Sequence, residues 1–122
     1  MKIRKSDLEK ITKEKIIRMT PKPSPVSVRR PRIRFGIIAI TWNKIFIFPS
    51  TFFGRISLNS VFSFNREDIK EVHMRPDIFR AGFSKMKYKL IFKLKDDNRV
   101  VIAGLTPDSV MFLRKWLKIG EK

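Results

Sequence analysis

The stretch KMKYKLIFKLKDDNRVVIAG, residues 85–104, contains the strongest strand signal in the chain. Apolar side chains occupy one set of alternate positions: Met86, Tyr88, Leu90, Phe92 and Leu94. Lysines occupy most of the other set: Lys85, Lys87, Lys89, Lys93 and Lys95. A period of two is typical of a strand with one face in a core and the other in water. Asp96-Asp97-Asn98 predicts a turn, and residues 100–103, ended by Gly104, predict the partner strand.

The residues that follow this hairpin predict a helix. Thr106 suits the N-cap position and Pro107 the first helical position. Apolar residues then recur at helical spacing: Val110, Leu113, Trp116 and Leu117. A helix with one apolar side must cover an apolar surface, so we expect it to pack on the sheet.

Period-two patterns before residue 85 predict further strands. Residues 32–40 and 45–48 form a hairpin around a turn at 41–44. Residues 50–65 continue as strand with a break near Asn59-Ser60, and residues 68–75 form another strand. Six or seven short antiparallel strands followed by one helix predict a mainly β fold of the α+β type.

The segment before this hairpin is basic and has a different pattern. Ser6 and Glu9 are spaced as a capping box, and the apolar spacing predicts an amphipathic helix over residues 1–20. Such a helix could dock on its own domain, lie on a membrane surface or pair with a second copy. Four prolines in residues 21–31 predict an extended linker. We therefore predict a basic helix and Pro-rich linker over 1–31 and the β domain over 32–122.

Composition limits the classes of protein to consider. The chain has 122 residues, the size of one domain, and carries 28 Lys and Arg against 11 Asp and Glu, a net charge of +17. It has no cysteine and one histidine, which excludes disulfide frameworks and Cys/His zinc sites. No signal peptide and no membrane-spanning run is visible, so we expect a cytoplasmic protein, soluble or peripheral to a membrane.

Catalytic signatures are missing from the sequence. There is no glycine-rich phosphate loop, no Ser/His/acid set and no paired carboxylates in an apolar setting. We expect no enzyme activity, no cofactor and no metal site.

Three groups of cations are candidates for binding an anion or a partner. The lysine row comprises Lys85, Lys87, Lys89, Lys93 and Lys95; same-face strand residues stand about 7 Å apart, near the spacing of head groups or phosphates. An ordinary solvated sheet face explains the same row. The second group is an arginine cluster around Pro31: Arg29, Arg30, Arg32 and Arg34. Guanidinium groups suit phosphate, although a flexible charged linker has the same composition. Lys44, at the tip of the first hairpin, is the third candidate.

The order of these motifs resembles the bacterial and archaeal pleckstrin-homology-like domains, including the GRAM type. Residues 36–48, GIIAITWNKIFIF, are similar to the opening hairpin of that family. Residues 64–72 and the hairpin at 90–104 are similar to its later strands. The resemblance covers residues 33–119 and implies a β-barrel of two nearly orthogonal antiparallel sheets capped by the C-terminal helix. Members of that family bind phosphoinositides, proteins or peptides.

The function these patterns predict is a non-catalytic binding module that docks on an anionic membrane surface or a protein partner. Two alternatives remain open at this stage. A nucleic-acid-binding protein would use the same cations, although the aromatic residues of the lysine strand lie on its opposite face. A homo-oligomeric structural or adaptor subunit would pair through the N-terminal helix.

Overall fold

The computed structural model describes residues 4–20, 24–51, 56, 60–77 and 87–118. The elements are, in chain order, α1 (Lys5–Thr12), β1 (Arg18–Met19), β2 (Ser24–Val28), β3 (Ile33–Ile40), β4 (Lys44–Pro49), β5 (Phe62–Asn65), the 3-10 turn η1 (Arg66–Asp68), β6 (Ile69–Pro76), β7 (Tyr88–Leu94), β8 (Arg99–Leu105) and α2 (Pro107–Lys118). Lys85 and Met86 lie outside the described residues.

The strands form one antiparallel sheet in the order β5-β4-β3-β2-β8-β7-β6, and β1 pairs separately with β3. The sheet folds over on itself, because the rings of Phe64 in β5 and Phe92 in β7 are 5.7 Å apart although four strands separate them along the sheet. The core between the two halves is aliphatic and aromatic, and α2 contributes Val110, Leu113 and Trp116 to it. The predicted β7–β8 hairpin and C-terminal helix are confirmed.

The predicted closed barrel is wrong in one respect. Among the described strands, β5 pairs only with β4 and β6 only with β7, so the two edges of the sheet remain unpaired. The short turn η1 joins these edge strands directly, and α2 packs over the core beside them. The architecture is a sandwich closed on one side by a helix.

The predicted N-terminal helix is too long, since α1 ends at Thr12 and Lys13 takes a left-handed conformation with φ 60°. The Ser6–Glu9 capping box is wrong as well: the helix begins at Lys5, and Glu9 instead accepts a hydrogen bond from the backbone N–H of Ile16 at 2.9 Å. That bond folds the chain back, so that residues after the turn form β1 rather than more helix.

The apolar side of α1 packs on its own domain. Leu8 and Ile16 are fully buried against the outer face of β3 and β4, where they contact a second apolar cluster: Ile37, Ala39, Phe46 and Phe48. The inner face of β3 carries Ile38 and Ile40 of the main core. β3 is therefore buried on both faces, as its continuous apolar run predicts.

The linker prediction is wrong for Ser24–Val28, which form β2 in the middle of the sheet. β2 pairs with β3 on one side and with β8 on the other. Val26 and Val28 alternate with Ser27 and enter the core, and the extended backbone that the prolines favour is compatible with a strand. Residues Ser24–Val28 of the proline-rich segment are thus hydrogen-bonded into the sheet.

Among the described helices, neither is long and apolar enough to cross a membrane.

Candidate anion-binding face

A groove with a volume of about 540 Å³ lies on the outer side of the sheet where β2, β3 and β8 meet. Four arginines line it: Arg29, Arg32, Arg34 and Arg99. The remaining lining residues are Ser27, Val28, Ile33 and Val101, so none of the lining residues is acidic. We call these four side chains the arginine groove.

Strand register brings these arginines together from distant parts of the sequence. Val28 pairs with Ile33 across β2 and β3, which places the residues on either side of this turn around one end of the groove. Ser27 pairs with Val101 across β2 and β8, which brings Arg99 to the opposite side. All four arginines are exposed, and among the described residues none of them forms an ion pair with a carboxylate. The groove therefore concentrates positive charge that is open to an external anion.

A buried asparagine fixes the β2–β3 turn. The side-chain amide of Asn98, in the β7–β8 turn, donates to the carbonyl of Arg30 at 2.6 Å and accepts from its backbone N–H at 3.1 Å. The Arg30 guanidinium donates to the carbonyl of Asp96 at 3.1 Å. Arg30 is consequently the one member of the predicted arginine cluster that does not line the groove; it binds the neighbouring turn instead.

A second cavity of about 400 Å³ continues the groove along the sheet. The two share Ser27, Arg34 and Val101, and the second adds Lys89 of β7. Arg75 of β6 pairs with Lys89 in the strand register and is exposed. The positive surface therefore extends from the β2–β3 turn towards β6, and we call the arginine groove with Lys89 the basic face.

The predicted lysine row is divided among different surroundings. Lys89 joins the arginine groove, but Lys93 lies 3.7 Å from the carboxylate of Glu71 on β6. Lys95 lies in the turn beside a separate cavity near Phe62 and Asp68. Lys87 is half-buried and its carbonyl accepts from the backbone of Asp77. The placement of Lys85 falls outside the described residues, so the alternation is confirmed over β7 without forming one continuous row.

Lys44 lies apart from this face. Its Nζ is 3.9 Å from the carboxylate of Glu14, which also accepts a hydrogen bond from the hydroxyl of buried Thr41 at 3.1 Å. The same ammonium group is 6.0 Å from the ring centroid of Phe46, on the side of the sheet that α1 covers. Lys44 thus helps to hold the N-terminal segment on the first hairpin.

Glu71 of β6 lies opposite Lys93 of β7 in the strand register. A hydrogen bond with His73 at 3.2 Å and then the charge of Lys93 lower the pKa of Glu71 below its ordinary value. Glu71 is therefore ionised at neutral pH, and it offsets Lys93 rather than any of the arginines in the groove.

Arg66 forms a structural contact that the sequence did not indicate. Its Nε donates to the carbonyl of Trp116 at 2.8 Å, another of its nitrogens donates to the carbonyl of Trp42, and its guanidinium lies 4.5 Å above the Trp116 ring. Burial lowers the pKa of Arg66 from its ordinary value, an effect that the charge of Glu67 opposes. Arg66 therefore joins the first hairpin tip, η1 and the end of α2.

Arg99 is the member of this surface that sequence reasoning missed, and Arg75, which pairs with Lys89 beside the surface, was missed as well. Arg99 shares the outer side of β8 with Val101 and Ala103, whose apolar side chains hide the alternation. The signal for Arg99 is its place directly after the predicted turn, one residue before buried Val100. The sequence shows that Arg99 lies near the other groove arginines only once residues 24–28 are recognised as strand β2.

Comparison with known proteins supports the fold. No protein-family model and no curated protein matches the sequence. Among solved structures, the chain is similar to one described as the pleckstrin homology (PH) domain of USP37, with a TM-score of 0.53 and 19% sequence identity. The match covers 79% of this chain and 88% of that chain. A largely antiparallel eight-stranded sandwich with a C-terminal helix and this likeness together show that the chain has a PH-like fold.

Proposed function

We propose that this protein is a non-catalytic binding module that docks on anionic membrane surfaces through the basic face. The observation that carries the proposal is a groove whose described lining contains four arginines and no acidic residue. The PH-like fold supports the role of a binding module. The GRAM-type assignment and the cytoplasmic location remain predictions from the sequence.

Arginine suits this role better than lysine. Its planar guanidinium donates two parallel hydrogen bonds to a phosphate, and it loses little hydration when it binds. Each cation near an anionic leaflet contributes about 1 kcal/mol before screening, so the five cations of the basic face suffice for reversible association. Salt weakens such attraction because these charges are exposed.

The rigid frame of the face adds to its suitability. Three of the four arginines flank β2, which is paired on both sides, and Asn98 holds the β2–β3 turn by two hydrogen bonds. Side chains on a fixed backbone lose less conformational freedom when they meet a surface than those of a flexible tail. This favours the sheet face over the N-terminal helix, whose Leu8 is already buried against the domain.

Vesicle flotation tests the proposal. We expect the full chain to float with vesicles that contain phosphatidylcholine and phosphatidylserine. With vesicles of neutral phosphatidylcholine alone it should stay at the bottom of the gradient. Added salt should release the protein from the anionic vesicles. Arg34→Gln, in the part shared by both cavities, weakens binding about five-fold, corresponding to about 1 kcal/mol. Arg114→Gln, an exposed arginine on α2, is the matched control and has a smaller effect.

Competition between a nucleic acid and vesicles distinguishes membrane docking from the main alternative, nucleic-acid binding. The basic face has the charge to attract DNA or RNA, and such binding would fall steeply with salt. If a short duplex binds far more tightly than anionic vesicles and Arg34→Gln abolishes that binding, the membrane proposal is wrong and the nucleic-acid alternative replaces it.

A further inference from the structure

A separate cavity of about 140 Å³ reaches the inner side of the sheet between β1, β3, the end of β8 and α2. β2 pairs with β8 only as far as Ile102, and β1 pairs with β3 at Ala39 and Ile40. The last residues of β8 consequently have no strand partner on this side among the described residues. The cavity occupies that opening and reaches core side chains of the sandwich.

The wall of the cavity is apolar. It is formed mainly by Ile38, Ile40, Ile102, Leu105, Leu113 and Phe112. An apolar cavity of about 150 Å³ with a similar lining is large enough to remain dry and to bind benzene. The space therefore accepts one apolar group of about six carbon atoms, and is too small for the side chains of a whole peptide segment.

Among the described residues that line the cavity, Arg18 is the one cation. Arg18 lies 4.9 Å above the ring of Phe112, and its Nη2 donates to the hydroxyl of Ser109 at 3.2 Å. Among the described residues it has no carboxylate partner, and the stacking leaves several of its five N–H donors free. An anion at the mouth would meet a guanidinium that Phe112 already holds in place.

We propose that this cavity binds a short aliphatic carboxylate, with the chain among the core side chains and the carboxylate paired with Arg18. The apolar volume, the position of the cation at the mouth and a described lining without an acidic residue all select this chemistry. The site is distinct from the basic face and does not depend on membrane binding.

Two-dimensional amide NMR of the full chain, titrated with the sodium salts of butanoic, pentanoic, hexanoic and decanoic acids, tests the proposal. Saturable shifts should appear at Thr20, Ile102 and Leu113. Affinity should rise about four-fold for each added CH₂ as far as hexanoate, and then level off because the cavity is full. No saturation, or a steady gain through decanoate, would overturn the proposal.

Two variants distinguish the contribution of the Arg18 charge to ligand affinity from the contribution of the apolar cavity. Arg18→Gln should weaken hexanoate binding about five-fold and leave binding of 1-hexanol unchanged, whereas Lys15→Gln, an exposed neighbour, should change neither. Ser109→Leu should block the mouth and weaken both ligands. Equal hexanoate affinity for the parent chain and Arg18→Gln, or shifts confined to the arginine groove, would contradict the assigned site.

Discussion

The buried amide of Asn98 makes two hydrogen bonds to the backbone of Arg30, a residue 68 positions away. It joins the β2–β3 turn to the β7–β8 turn and so sets the distance between the two sides of the arginine groove. Asn98→Ala would leave the partly buried N–H and C=O of Arg30 without these partners, so we expect a loss of about 2 kcal/mol in unfolding free energy. Urea denaturation measures this.

Asn98→Ala also tests whether the position of the β2–β3 turn affects binding at the arginine groove. At temperatures where Asn98→Ala remains folded, we expect weaker vesicle binding although no charge has changed. Exposed Ser63→Ala, on β5 and outside the arginine groove, is the control, with little effect on stability or on vesicle binding. Full stability of Asn98→Ala would show that the two turns are held together by other contacts.

Docking of α1 on the sheet leads to a second prediction. Leu8 is fully buried between α1 and the outer face of β3 and β4. Leu8→Ala should lower the unfolding free energy by about 2 to 4 kcal/mol through lost burial and the remaining cavity. Ile11→Ala, on an exposed part of the same helix, should cost much less. Equal small effects would mean that α1 is not packed as described.

Close approach of two strands makes Gly36 sensitive. A Cβ at this position would lie 2.7 Å from the backbone oxygen of Phe48, which cannot move without disturbing β4. Gly36→Ala should therefore cost about 1 to 3 kcal/mol by thermal or chemical unfolding. A variant as stable as the parent would show that β3 and β4 are further apart.

The carboxylate of Glu71 provides a pH-dependent test. Its pKa is lowered in the folded protein, first by the hydrogen bond from His73 and then by Lys93. A lowered folded-state pKa stabilises the protein above the unfolded-state value and the contribution disappears as pH falls through the folded pKa. His73→Ala should raise the pKa of Glu71 in an NMR titration, and more than Lys93→Gln does. An unchanged pKa would contradict the hydrogen bond.

The sequence predicted best the elements that have a regular apolar spacing or a clear turn. β7 and α2 bury the apolar positions expected of them, including Leu90, Phe92 and Trp116, because one side of each lies in the core. β8 was predicted from the turn before it and from its apolar run, since Val101 and Ala103 hide its alternation. The continuous apolar run of β3 likewise predicted that both faces of this strand are buried.

The candidate site was predicted only in part, for physical reasons that particular residues show. Three members of the predicted arginine cluster line the groove, but Arg99 joins them through a pairing of β8 with β2, a strand hidden among prolines. Lys93 and Lys95 are separated from Lys89 by a neighbouring carboxylate and by a turn. Which cations lie next to one another depends on the pairing of strands that are distant in the sequence. The local alternation of apolar and polar residues does not contain that information.

One measurement tests the central claim most directly: the partition of two charge-matched triple variants onto phosphatidylserine vesicles at fixed salt. Arg32→Gln/Arg34→Gln/Arg99→Gln removes three charges from the basic face, and Arg114→Gln/Lys115→Gln/Lys118→Gln removes three exposed charges from α2. If the basic face is the docking surface, the first variant loses binding about 100-fold, or about 3 kcal/mol, and the second changes little. Equal losses would show that total charge alone attracts the protein, and would contradict a localised site.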